Sequence, residues 1–203
     1  MIAPNRPSWY VEVAQGGVTD RAGLRRRWET EMDRLATVEG WLGATGGITG
    51  SGGFVAAARF TSADVARAAV AGRTSWPDAG PGTSDVGVVT GGGSDEAGFV
   101  QLMQAKVADR ARFEEIEAAV GDDFARHRPD FLGGYRAWFP GSRLTVVDYF
   151  RSESEARAGE AKPLPDELGA SFEDWMALLS DVRWLDLPDP WLASSALGAP
   201  NSP

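Results

Sequence analysis

The side chains best able to do chemistry crowd around one predicted hairpin. Arg136, Trp138, Thr145, Asp148 and Tyr149 flank Pro140-Gly141, and His127, the only histidine in the 203-residue chain, lies just upstream. A tyrosine, a carboxylate and an imidazole are the groups that trade protons near neutral pH, so Tyr149, Asp148 and His127 are the candidate acid–base residues. A guanidinium beside aromatic rings suits a planar anionic or phenolic ligand, so Arg136, Trp138, Thr145 and the more distant Arg59 are the candidate binding residues. Each has a plainer alternative. Both arginines can reach solvent at strand edges, Trp138 can be core, and His127 can pack or cap a helix end. Asp148 is either paired with a cation or, if unpaired among apolar neighbours, a base of raised pKa.

Strand alternation sorts these residues into faces. If Pro140-Gly141 is a two-residue loop, Phe139 faces Ser142, Trp138 faces Arg143 and Arg136 faces Thr145. One face then carries Tyr135, Phe139, Leu144, Val146 and Asp148 and lies under helices. The other carries Leu132, Arg136, Trp138, Thr145, Val147 and Tyr149 and faces the partner sheet or a barrel cavity.

Composition narrows the chemistry. With no cysteine and one histidine, thiolate nucleophiles, disulfides, cysteine-bound metals and histidine metal clusters are excluded, and no metal site is expected. A net charge of −9 argues against nucleic-acid and anionic-membrane partners. No apolar run approaches the ~20 residues of a membrane span, and Met1–Pro7 lacks the features of a signal peptide, so a cytoplasmic protein is expected. The glycines between Gly46 and Gly53 lack the lysine and helix of a phosphate loop and read as a hairpin turn. Asp122-Asp123, Glu114, Glu115, Glu117 and Arg25-Arg26-Arg27 read as solvated helix faces.

The elements that position these residues occur twice. Shifting the chain by 90 lays Trp41-Leu42-Gly43 on Phe131-Leu132-Gly133, Phe60-Thr61-Ser62 on Phe150-Arg151-Ser152, and Ala66-Arg67-Ala68 on Ala156-Arg157-Ala158. A shift of 89 aligns Val18 to Ala22 with Val107 to Ala111, and Trp76-Pro77-Asp78 resembles Leu164-Pro165-Asp166. Each half reads strand, helix, strand, strand, helix, strand. The expected units span 8–90 and 98–187, with a glycine-rich linker at 91–97 and a poorly ordered tail at 188–203. An additional helix is expected from Ser171, and a closing strand over Arg183 to Leu187.

A tandem pair of βαββαβ units, with Trp41-Leu42-Gly43 and Phe131-Leu132-Gly133 opening the hairpins, resembles the dimeric α+β barrel superfamily, including the antibiotic biosynthesis monooxygenase family. The resemblance covers about 8–90 and 98–187. It implies an α+β fold of two ferredoxin-like units forming a pseudo-dimeric barrel around a small-molecule site. It further implies a cofactor-independent, monooxygenase-like enzyme acting on an aromatic or polyketide-like compound. The same barrel could instead serve a non-catalytic ligand-binding or accessory protein, or a haem-binding one. Some of these monooxygenases place an asparagine and a tryptophan near substrate; here Asn5 and Asn201 lie in the tails, so the asparagine has no core counterpart. Fusion removes the need for a partner subunit, so a monomer or weak homo-oligomer is expected.

Overall fold

The computed structural model describes residues 9–72, 85–91 and 94–195. Trp76-Pro77-Asp78, Asn5 and Asn201 lie outside them. The first unit contains β1 (Trp9–Gly16), α1 (Arg21–Ala36), β2 (Trp41–Ile48), β3 (Phe54–Phe60), α2 (Ala63–Ala71) and β4 (Asp85–Gly91). The second contains β5 (Phe99–Val107), α3 (Arg110–His127), β6 (Phe131–Phe139), β7 (Arg143–Phe150), α4 (Glu153–Glu160), α5 (Asp166–Ala177) and β8 (Leu179–Leu187), followed by a short β9 (Trp191–Ser194).

The repeat is visible in how the helices start. Asp20 and Asp109 accept hydrogen bonds from the amides of Gly23 and Arg112, three residues on, at 2.9 and 3.0 Å. Ser62 and Ser152 do the same for α2 and α4 at 3.2 Å each. These caps satisfy amides that the first helical turn leaves without partners. The repeated glycine has a backbone cause as well. β2 and β6 each shift register just before Gly43 and Gly133, which sit at φ +147° and +126°. A side chain is strained at those angles, so both halves keep glycine at the same bulge.

Each unit forms an antiparallel sheet with the strand order β4-β1-β3-β2 or β8-β5-β7-β6, and the two join into one nine-stranded sheet. One seam is the pairing of β4 with β6, Val88 opposite Trp138 through Gly91 opposite Tyr135. The other is the pairing of β2 with β9, Gly43 opposite Ser194 through Gly46 opposite Trp191. Under the 90-residue shift β2 corresponds to β6, so β9 occupies the place that the end of β4 occupies at the first seam. β8 and β9 thus act as one edge strand interrupted at Pro188 and Pro190, which cannot donate ladder hydrogen bonds. A hydrogen bond from the Gly50 amide to the Asp186 carbonyl, at 3.0 Å, further ties the hairpin of unit 1 to β8. The result is a pseudo-dimeric α+β barrel made of two tandem ferredoxin-like units. The residues expected as a tail include its closing strand. Pro188, Pro190 and the small residues after Leu192 masked a four-residue strand held by pairing rather than by local propensity.

The barrel interior and the helix-covered outer faces are separate cores. Val11, Val13, Val55, Ala57, Val100, Leu102, Val147 and Leu187 fill the interior with residues from both units. Outside, Leu24, Trp28, Phe54, Phe60 and Trp191 pack under α1 and α2, and Met103, Phe113, Trp138, Leu144 and Val146 pack under α3 and α5. α5 begins five residues before Ser171, at Asp166 behind Pro165, and β8 begins at Leu179 rather than Arg183. No helix among the described residues is long and apolar enough to cross a membrane.

Trp191 clamps the second seam: 6% exposed, it lies 5.7 Å from the Trp28 ring and 6.2 Å from Phe54. Trp191→Ala should lower unfolding free energy by about 3 kcal/mol or more. Urea denaturation followed by circular dichroism reads this as a lower midpoint.

Candidate functional site

Cross-strand partners share a face, so the ladders decide which side chains enter the barrel. β6 and β7 pair Phe139 with Arg143, Ala137 with Thr145, Tyr135 with Val147 and Gly133 with Tyr149. The connecting loop is therefore three residues, Pro140-Gly141-Ser142, with Gly141 and Ser142 at φ +75° and +58°. One more loop residue than the sequence suggests turns β6 over relative to β7. Thr145 and Tyr149 lie on the interior face, as expected. Arg136 and Trp138 do not: they share the outer face with Val146 and Leu144, and Tyr135 takes their place inside. In unit 1, Arg59 is interior with Val55 and Ala57, and β2 turns Gly43, Thr45 and Gly47 inward beside them.

Four polar side chains meet in the interior. The Thr45 hydroxyl and the Tyr149 hydroxyl are hydrogen-bonded at 2.6 Å, across the two units. The Arg59 guanidinium lies 5.7 Å from the centroid of the Tyr135 ring, again across the units. The shift of 90 maps Thr45 onto Tyr135 and Arg59 onto Tyr149, so these two contacts are pseudo-symmetry mates of different chemistry. All four residues are at least 95% buried. Arg59 Nε and the Tyr135 hydroxyl have no hydrogen-bond partner. No carboxylate among the described residues pairs with Arg59. Burial pushes the Tyr135 hydroxyl well above the ordinary tyrosine value; the neighbouring Tyr149 adds to the effect and the Arg59 charge opposes it. Burial raises Tyr149 as well, against Arg59 and the Thr45 hydrogen bond. Both phenols are therefore neutral donors at physiological pH. Arg59 fits because Gly43 has no side chain: a Cβ there would stand 3.0 Å from Arg59 Nη2.

The other predicted residues form a separate cluster outside the sheet. Arg136 donates to Glu117 on α3 at 2.6 Å and to Asp148 on β7 at 2.7 Å. Burial opposes the guanidinium charge, but Asp148 and Glu117 outweigh it and raise its pKa. Asp148 is thus a partnered carboxylate, and the sheet separates it from Tyr149. The repeat explains the cluster. Glu117, Arg136 and Asp148 correspond to Trp28, Gly46 and Ala58, where a Cβ on Gly46 would stand 2.5 Å from the Trp28 ring. Unit 1 fills the space with an indole and unit 2 with an ion triad. His127 ends α3 in the outer layer with its Nε2 buried and without a hydrogen-bond partner. Thr45 and Tyr135 escaped the sequence reading. The signals for them were the left-handed Gly141-Ser142 turn and the repeat that pairs the two positions.

Matching the chain with known proteins supports the architecture. No family model and no curated protein matches the chain. Among solved structures, a provisionally assigned monooxygenase from Lactobacillus acidophilus NCFM superposes with a TM-score of 0.70 at 15% identity, covering 95% of this chain and 98% of that one. The chain has the dimeric α+β barrel fold of the antibiotic biosynthesis monooxygenase-like structures. An anthrone oxidase-like protein superposes on the barrel with a TM-score of 0.69 at 12% identity, covering 100% and 99%. A heme-degrading enzyme from Listeria monocytogenes does so with a TM-score of 0.50 at 12% identity, covering 88% and 99%.

No histidine among the described residues enters the barrel: His127 ends α3 in the outer layer.

Glu117 supplies a pH test of the outer cluster. Its carboxyl is pushed up from 4.5 by burial, which outweighs the Arg136 charge. The stability this contributes is full below the ordinary value and is lost as pH rises through the raised one. Glu117→Gln should flatten the fall in stability just above pH 4.5, read as urea midpoints across that range.

Proposed function

We propose that the barrel interior binds a small aromatic or polyketide-like compound as its phenolate or enolate. The carrying observation is Arg59: a guanidinium 4% exposed, without a carboxylate partner among the described residues, beside two protonated tyrosines. Burying a cation alone costs several kcal/mol, and an anionic oxygen is the group that offsets it. Tyr135 offers a hydroxyl beside that of Tyr149, and Tyr149 is oriented by Thr45. Donors preorganised around one oxyanion stabilise charge without reorganising when it forms.

The reading extends to catalysis without a resident cofactor. A stabilised aromatic enolate can give electrons to dioxygen directly. At a methylene next to aromatic rings, two hydrogens leave, one oxygen atom becomes the new carbonyl and the other departs in water. The anthrone oxidase-like and monooxygenase-like neighbours support this direction. A binding or accessory role uses the same site without the oxygen step. Either way one chain completes the barrel, so the site needs no partner subunit.

Arg59→Met should weaken binding of 1,8-dihydroxyanthraquinone by at least tenfold, with a circular dichroism spectrum like the parent's. The corresponding loss for Arg136→Ala should be under twofold. Fluorescence titration measures both. Equal affinity of the Arg59 variant and the parent would remove the anion site; oxygen uptake with anthrone separates the enzyme from the binding protein.

A further inference from the structure

The segment joining the two units does more than connect them. We propose that Ser94–Gly98 is a strap across the Arg59–Tyr149 end of the barrel, and that Asp95 and Ser194 are its latch, controlling ligand entry. The proposal rests on the binding reading for what passes beneath the strap.

The strap is fastened unequally. On one side, the Gly98 amide bonds to the carbonyls of Phe150 and Arg151, both at 3.1 Å. A Cβ on Gly98 would stand 2.5 Å from the Arg151 carbonyl oxygen, so the chain passes close against the end of β7. In the middle, Ala97 is 8% exposed and inserts its methyl into the interior cluster that holds Tyr135 and Tyr149. At the other side, the Ser194 hydroxyl donates to Asp95 Oδ1 at 2.7 Å in an exposed hydrogen bond.

Ser194 ends β9 directly opposite Gly43. A Cβ on Gly43 would lie 3.2 Å from Ser194 Cα and 3.0 Å from Arg59 Nη2, so the latch stands one residue's width from the guanidinium. Asp95 also reaches Tyr149 electrostatically, acting against loss of its proton. Along the two seams the wall is strand pairing, β4 with β6 and β2 with β9, and opening it there would break ladders. Among the described contacts, lifting the strap breaks one exposed hydrogen bond and withdraws one methyl group, while its Gly98 end stays bonded to the end of β7.

The full chain has no cysteine, so Asp95→Cys/Ser194→Cys introduces a single possible disulfide across the latch. Hydroxyl-radical labelling of Tyr149, read by peptide mass spectrometry, reports opening without any ligand. Labelling should be at least fivefold slower in the oxidised variant than in the same variant reduced and alkylated. It should be faster in Asp95→Ala than in the parent. The association rate of 1,8-dihydroxyanthraquinone should follow the same order. Equal labelling of the oxidised and alkylated forms, or of Asp95→Ala and the parent, overturns the strap. Labelling that follows the strap while the dye binds no form upholds the strap and rejects the binding reading instead.

Discussion

Everything in the interior depends on two backbone seams. A ferredoxin-like sheet covers one face with helices and leaves the other, and two edges, without a partner. Here each unit covers the other's open face, and each lends an edge strand to the other: β4 to β6, and β9 to β2. Closure removes edges that would otherwise invite pairing between molecules. It also brings Thr45 to Tyr149 and Arg59 to Tyr135, because both contacts run from one unit to the other. Neither unit alone brings these four side chains together.

Fusion allows what a symmetric dimer does not. In a homodimer, equivalent positions carry the same residue, so a buried arginine would come with a second facing it across the axis. In one chain the copies have diverged. Arg59 corresponds to Tyr149 and Thr45 to Tyr135, giving one cation among three hydroxyls instead of two cations repelling each other. The same freedom operates outside the sheet, where Trp28 over Gly46 in one half answers to Glu117 with Arg136 in the other. The backbone features stayed alike because geometry demanded it: the capping aspartates and serines, and the glycine bulges at Gly43 and Gly133. Like backbone geometry with unlike side chains makes the interior of the barrel asymmetric.

The sequence disclosed what local chemistry encodes. The order of strands and helices and the alternation along strands were readable, because each is written within a few neighbouring residues. So was the repeat, and with it the twin-unit plan. Two features were not. The faces of β6 hung on one loop residue: Pro140-Gly141 looks like a complete two-residue turn, and only Ser142's left-handed backbone lengthens it. That single step exchanged Arg136 and Trp138 for Tyr135, while β7, on the other side of the loop, kept Thr145 and Tyr149 where they were expected. β9 was hidden for a different reason. Trp191 to Ser194 has no strand pattern of its own, and its partner β2 lies far away in the chain. Pairing at that distance leaves no local trace.

Electrostatics decides what the interior can hold. Arg59 Nε is a donor with nothing to donate to, the Tyr135 hydroxyl has only the neighbouring Tyr149 beside it, and both tyrosines are held in the protonated form. A neutral hydrocarbon in the same space would leave that donor excess unanswered, and a cation would add repulsion to it. An oxyanion answers all three groups at once, and its negative charge lowers the cost of burying the guanidinium. On the proposed reading the match is to a charge state: a compound that ionises only weakly in water would gain acidity on entering, because the Arg59 charge favours its conjugate base over its neutral form. A base within the barrel is then not required for the anion to form, since the proton can leave with solvent as the ligand enters.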